Sequence, residues 1–296
     1  MNEKWIRGSG VALVTPFKKN KEIDFVALEK IVNHVIEGGV NYVVALGTTA
    51  ETATLREAEK KEILQCIVNT TKQLVPVVCG IGGNDTSKVL GQMEDYNLEG
   101  IEAILSVTPY YNKPNQNGLL AHFKTLDQET PKPLILYNVP GRTGVNMTAD
   151  TSLALASEGK NIIAIKEASG NLTQCMQLVQ HKPEGFTVLS GDDDLILAQL
   201  ALGFDGVISV AANCFTQPFC QMVHDGLSDR FSSARATHYQ LLSGIQLLFT
   251  EGNPAGVKAV LHEMGLCENE LRSPLVPVTE STQNAIRAFL KNYLLR

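Results

Sequence analysis

Lys166 stands directly after four apolar residues, Ile162, Ile163, Ala164 and Ile165. An amine that ends a buried strand is poorly solvated. Burial disfavours the charged form of an amine, and only a neutral amine attacks a ketone carbonyl to give a Schiff base. The competing reading is a lysine that runs out to solvent or pairs with its neighbour Glu167. Tyr137 ends another apolar run, so its phenol is expected level with the Lys166 amine, where it could relay the protons that imine formation moves. Taken singly, a tyrosine in this position is more often a core residue. Thr48 and Thr49 follow Gly47 and precede an expected helix whose start is marked by Thr54 and Glu57, a T-x-x-E capping box. Hydroxyls and backbone N–H groups in such a loop can hold a carboxylate, or they can satisfy their own backbone. Arg142 lies in the turn Pro-Gly-Arg-Thr-Gly, 140–144, which can present a guanidinium for bidentate pairing with a second carboxylate, or simply to solvent.

Other chemistries find less support. The histidines, His34, His122, His181, His224, His238 and His262, fall mainly in expected helices without HExxH or another metal-ligand spacing, so no metal is expected. Asp192, Asp193 and Asp194 precede an apolar helical segment and are expected to cap it rather than bind a cation. The glycines of 80–83 lack both the dinucleotide spacing and its acidic partner.

The elements that must carry these groups are short β-rich runs at 11–14, 42–46, 75–79, 103–107, 134–137, 162–165, 187–189 and 206–210. Segments of helical spacing, such as 25–37 and 55–71, lie between them. Eight alternations predict parallel strands joined by helical crossovers, and a closed (β/α)8 TIM barrel fits them better than an open sheet. In such a barrel the reactive groups gather past the C-terminal strand ends, which is where Thr48, Thr49, Tyr137, Arg142 and Lys166 fall. Beyond the eighth run the chain reads as helices at 217–226, 230–251, 254–264 and 280–295, with Pro254 suited to a first helical turn. The expected division is a catalytic barrel, 1–215, and a C-terminal helical extension, 216–296, packed on the barrel or on a neighbouring subunit. No cluster of catalytic residue types is evident in that extension.

Hydrophobic residues at 44% and charged residues at 19% describe an ordinary globular chain with a sizeable core. A net charge of -6 leaves no basic footprint for nucleic acid or an acidic membrane. No apolar stretch approaches the roughly 20 residues of a membrane span. No signal peptide is expected, because residues 1–8 are polar and the following apolar run is broken by Thr15 and Pro16. The six cysteines form no CxxC pair and suit free thiols in a reducing cytoplasm.

Four loop motifs occur in order, each after its own strand: GTTAE at 47–51, TPYYN at 108–112, YNVPGRTG at 137–144 and IKEASGN at 165–171. With VTPF at 14–17, SGDD at 190–193, GVISVAAN at 206–213 and the helical tail, they resemble the dihydrodipicolinate synthase family over essentially the whole chain. That family belongs to the N-acetylneuraminate lyase superfamily of Schiff-base aldolases. The resemblance implies condensation of pyruvate with aspartate semialdehyde to 4-hydroxy-tetrahydrodipicolinate, on the diaminopimelate route to lysine, without a cofactor. It assigns Lys166 to the pyruvate imine, Tyr137 and Thr49 to the proton relay, and Tyr111 to completing that relay from a neighbouring subunit. It also assigns Arg142 to the semialdehyde carboxylate, Thr48 and Thr49 to the pyruvate carboxylate, and the Ile208 carbonyl to the pocket wall, in a homotetramer built from two tight dimers. The chain departs from the family pattern at Ala50, where glycine is usual. It also has Glu57 and Lys88 where lysine-inhibited members carry a histidine and a glutamate. A cationic Lys88 would repel the lysine ammonium, so weak or absent lysine inhibition is expected. The rival readings are an N-acetylneuraminate lyase, against which the Arg142 turn and the paired threonines argue, and a catalytically silent barrel. The silent barrel is disfavoured by the joint presence of Lys166, Tyr137, Thr49 and Tyr111.

Overall fold

Runs such as Tyr42–Ala45 and Leu134–Asn138 are apolar on both faces, the pattern of parallel strands covered on either side. The computed structural model of the protein describes residues 4–294. In chain order the elements are β1 (Gly8–Ala12), α1 (Phe25–Glu37), β2 (Tyr42–Ala45), α2 (Glu57–Thr71), β3 (Val77–Gly80) and α3 (Thr86–Asp95). They continue with β4 (Ala103–Val107), α4 (Gln116–Glu129), β5 (Leu134–Asn138), the one-turn α5 (Pro140–Thr143), α6 (Ala149–Glu158) and β6 (Ile162–Glu167). The barrel ends with α7 (Leu172–His181), β7 (Thr187–Ser190), α8 (Ile196–Leu202) and β8 (Gly206–Ser209). Four helices follow: α9 (Thr216–Leu227), α10 (Phe231–Phe249), α11 (Ala255–Glu263) and α12 (Glu280–Leu294). Residue 295, included in the expected last helix, lies outside the described residues.

The eight strands are parallel, follow chain order, and close when β8 pairs with β1 from Gly8↔Gly206 to Val11↔Ser209. Side chains alternate across each strand. Ala12, Val44, Val78, Leu105, Ile135, Ala164, Leu189 and Ile208 fill the barrel interior, while Val11, Val43, Ile104, Leu136, Ile165 and Val207 meet the helices outside. Fully burying each of the larger aliphatic chains is worth about 1.5–3 kcal/mol. Tyr42 occupies the interior near the strand N-termini, edge-on to Trp5 at 5.8 Å. It needs Gly10 opposite, where a Cβ would lie 2.2 Å from the Tyr42 ring.

Three expectations are corrected in detail. The first strand is 8–12 rather than 11–14, because Gly-Ser-Gly carries no β signal and its glycines serve close approach instead. Helix α2 is not capped by Thr54, whose hydroxyl donates to the Glu51 carbonyl. It starts at Arg56–Glu57, with the Glu59 carboxylate accepting from Arg56 N at 2.8 Å. The three aspartates do not cap α8, which follows Leu195 without a side-chain cap. Asp193 instead accepts from Val210 N and Ala211 N, beyond β8, at 2.9 and 2.7 Å.

Helix α9 packs on α1, α8 and β1, and α10 packs on α8, α9, α11 and α12. Gly256 lets α11 approach α10 closely, since a Cβ there would meet the Leu248 carbonyl oxygen at 2.3 Å. All six cysteines are free thiols, and no helix among the described residues is long and apolar enough to cross a membrane.

Candidate active site

Strand pairing aligns Tyr137 of β5 with Lys166 of β6, and Lys166 with Leu189 of β7. Both polar side chains therefore emerge at one level of the barrel mouth. Lys166 is 5% exposed, with its Nζ 4.4 Å from the Tyr137 ring centroid. No carboxylate among the described residues pairs with Lys166. Glu167 is the next residue on an alternating strand and so points the other way, into the layer between barrel and helices. There it accepts from Asn138 Nδ2 at 3.1 Å, Gln174 Nε2 at 3.0 Å and Ser169 N at 2.7 Å. Burial pushes its carboxyl up, and those hydrogen bonds pull it back. The reading of Lys166 as the ion partner of Glu167 is thereby excluded.

The aliphatic stem of Lys166 runs past Gly191, where a Cβ would stand 3.0 Å from Lys166 Cε and 2.5 Å from Ala168 Cβ. Asp193, two residues further on, is buried. Burial raises its carboxyl, while the Ser209 hydroxyl, the two N–H groups and the Lys166 charge lower it. Its hold on Val210 and Ala211 fixes the chain just past Ile208, itself a buried interior residue of β8.

After β2 the chain makes two 3-10 turns, Thr48–Ala50 and Thr52–Thr54. Thr48 is exposed, and Thr49 is buried with its hydroxyl accepting from Asn253 Nδ2 at 3.0 Å. Arg142, exposed on α5, donates from Nη2 to the Asn253 carbonyl at 3.1 Å. One residue between α10 and α11 thus touches both the threonine and the arginine. The Thr49 and Tyr137 hydroxyls make no hydrogen bond to each other among the described residues. Tyr111 is not drawn into the group either. It is 89% exposed, in a left-handed backbone conformation of φ 71° that costs a non-glycine residue energy. Its loop is pinned by Asn84 Nδ2 donating to the Tyr110 carbonyl at 3.1 Å and Asn112 Nδ2 donating to the Asn84 carbonyl at 2.9 Å. A cavity of about 530 Å³ lined by Arg7, Asn41, Gln217 and His224 opens beside the N-terminal start of β1 and holds none of these groups.

Residues 6–293 match the model of the dihydrodipicolinate synthetase family. The chain belongs to that family. It is 48% identical to the 4-hydroxy-tetrahydrodipicolinate synthase of Parabacteroides distasonis over 98% of each chain. Among solved structures, a monomeric dihydrodipicolinate synthase variant superposes with a TM-score of 0.96 at 39% identity, covering 99% of this chain and 98% of that one. The chloride-inhibited dihydrodipicolinate synthase of Acinetobacter baumannii, complexed with pyruvate, gives 0.95 at 38% identity over 98% and 100%. This dihydrodipicolinate synthetase family chain adds to the expected site a residue that sequence reasoning missed, Asn253. Its only local signal is the Asn-Pro start of a helix, and its partners Arg142 and Thr49 lie 111 and 204 residues away.

Proposed function

We propose that this chain is a 4-hydroxy-tetrahydrodipicolinate synthase that holds pyruvate as a Schiff base on Lys166 and condenses it with aspartate semialdehyde. The observation that carries the reading is the Lys166 amine, buried at the barrel mouth against Tyr137 without a carboxylate partner. The amine adds to pyruvate C2 and one water leaves. Loss of a C3 proton gives the enamine, and C3 attacks the semialdehyde carbon, forming the new C–C bond as the aldehyde oxygen takes up a proton. The substrate's own amine then displaces Lys166 from C2 and closes the ring. No step needs a redox partner. Tyr137, Thr49 and a partner's Tyr111 would pass the protons, with Thr48 and Thr49 at the pyruvate carboxylate beside the Ile208 carbonyl, and Arg142 at the semialdehyde carboxylate.

Several finer statements belong to the same reading. The exposed, conformationally strained Tyr111 supports an assembly in which it enters a second copy's mouth, within a homotetramer of two tight dimers. The free thiols support a cytoplasmic setting. The division into a catalytic barrel, 1–215, and a helical extension, 216–296, gives the extension a share in the mouth through Asn253. The deciding experiment couples condensation to a dihydrodipicolinate reductase and follows NADPH absorbance. A fast signal requiring both pyruvate and aspartate semialdehyde is expected. Pyruvate trapped by borohydride without that signal would redirect the assignment to another aldehyde acceptor or to lyase substrates.

A further inference from the structure

Glu51 and Lys258 are both sealed from solvent, and their side chains form an ion pair inside the protein. Glu51 sits at the joint of the two 3-10 turns in a left-handed conformation, φ 54° and ψ 35°. Its second oxygen accepts from Arg272 N at 3.0 Å. Lys258 also donates to the Glu270 carbonyl at 2.8 Å, and its Nζ lies 4.1 Å from the Phe17 ring centroid. Arg272 stands 4.5 Å from the same ring and grips Glu59 on α2 with two N–H groups at 2.7 and 2.8 Å.

Withdrawing two charges from water is repaid only if the geometry is good and the remaining donors and acceptors are satisfied, and apolar residues of similar volume often stabilise as well. A fully hydrogen-bonded buried pair therefore contributes a defined geometry more than it contributes stability. That geometry matters here because the same loop and the same helix meet twice. Glu51 reaches Lys258, and two residues earlier Thr49 accepts from Asn253. Asn253 leads into α11, and the Pro254 carbonyl accepts from Lys258 N at 3.0 Å, so Asn253 and Lys258 belong to one stiff unit.

We propose that the Glu51–Lys258 pair is a positioning device for the reaction, clamping α11 to the 48–54 turns and so holding Asn253 against both the Thr49 hydroxyl and the Arg142 guanidinium. This rests on the synthase reading above, and neither Glu51 nor Lys258 touches substrate in it. The test replaces both charges at once, Glu51→Gln with Lys258→Met, so that no lone charge is left buried. The expected result is a melting temperature close to that of the unmodified enzyme, with kcat for condensation lowered about tenfold or more. In a Thr49→Val background the same pair of changes should lower kcat by a smaller factor than in the unmodified enzyme, because only the Arg142 contact is left to lose and residues acting as one unit are not additive. An unchanged kcat in the folded double variant would overturn the proposal, as would a loss that multiplies in full onto Thr49→Val. If the double variant does not fold, Glu51→Asp keeps the charge and shortens the reach by one methylene. It is expected to lower kcat with the fold retained, and full activity would overturn the proposal. An unmodified enzyme that neither condenses nor traps pyruvate would instead remove the synthase reading itself.

Discussion

At the scale of single residues, the chemistry assigned to Lys166 and Arg142 separates cleanly. Lys166→Ala is expected to abolish borohydride trapping of pyruvate while leaving circular dichroism unchanged, and trapping that persists would sink the assignment. Arg142→Ala should spare trapping and lower kcat/KM for the semialdehyde by about 10- to 100-fold, the worth of a charge-assisted hydrogen bond. Lysine inhibition is expected to be weak. Glu57 is already engaged by Lys60 Nζ at 2.7 Å and the Tyr96 hydroxyl at 2.8 Å, and Lys88 is exposed on α3. Strong inhibition by sub-millimolar lysine in a condensation assay would contradict this. Asp192 carries a pH dependence. Burial, with Asp194 adding to it, raises its carboxyl from 3.8 to about 6 in the folded protein. Between those values the folded state binds more protons than the unfolded one, so stability falls as pH rises through this window. Asp192→Asn should therefore raise the melting temperature more at pH 8 than at pH 4, and an equal change at both would refute the coupling.

At the scale of elements, the wall between β6 and β7 is set by what is missing from Gly191. Gly191→Ala would push against Ala168 and the Lys166 stem. Overpacking of this kind costs about 1–3 kcal/mol. The expected outcome is a lower melting temperature together with slower pyruvate trapping, and normal trapping kinetics would show that the stem is free to shift. The strands that carry the site were legible because burial on both faces leaves continuous apolar runs, as in 134–137 and 162–165. The first strand was not, because Gly8 and Gly10 are chosen for contact with Asn41 and Tyr42 rather than for β propensity. The aspartates of 192–194 misled for a related reason. A carboxylate before an apolar helix looks like a cap, yet Asp193 binds N–H groups 17 and 18 residues further along the chain.

At the scale of the whole molecule, the proposal that a partner's Tyr111 completes the mouth makes a prediction about mixtures. Tyr111→Phe and Lys166→Ala proteins, each impaired alone, should regain activity when dissociated and reassembled together, toward roughly a quarter of the wild-type sites if dimers form at random. No recovery in reassembled mixtures would place Tyr111 outside the neighbouring site. The C-terminal helices also belong to this scale. In sequence they carry no catalytic cluster, yet folding sets Asn253 between Arg142 and Thr49, and Lys258 against Glu51.

The sequence by itself determined the barrel, the strand-end loops and the residues Lys166, Tyr137, Thr48, Thr49 and Arg142 that stand on them, because apolar periodicity and strand-end position are local properties. Only the tertiary structure decided what Asp193 holds, and that Asn253 and Lys258 reach the mouth's loops. Each of those outcomes depends on closing the chain over separations of up to 207 residues, and no local pattern encodes such a contact.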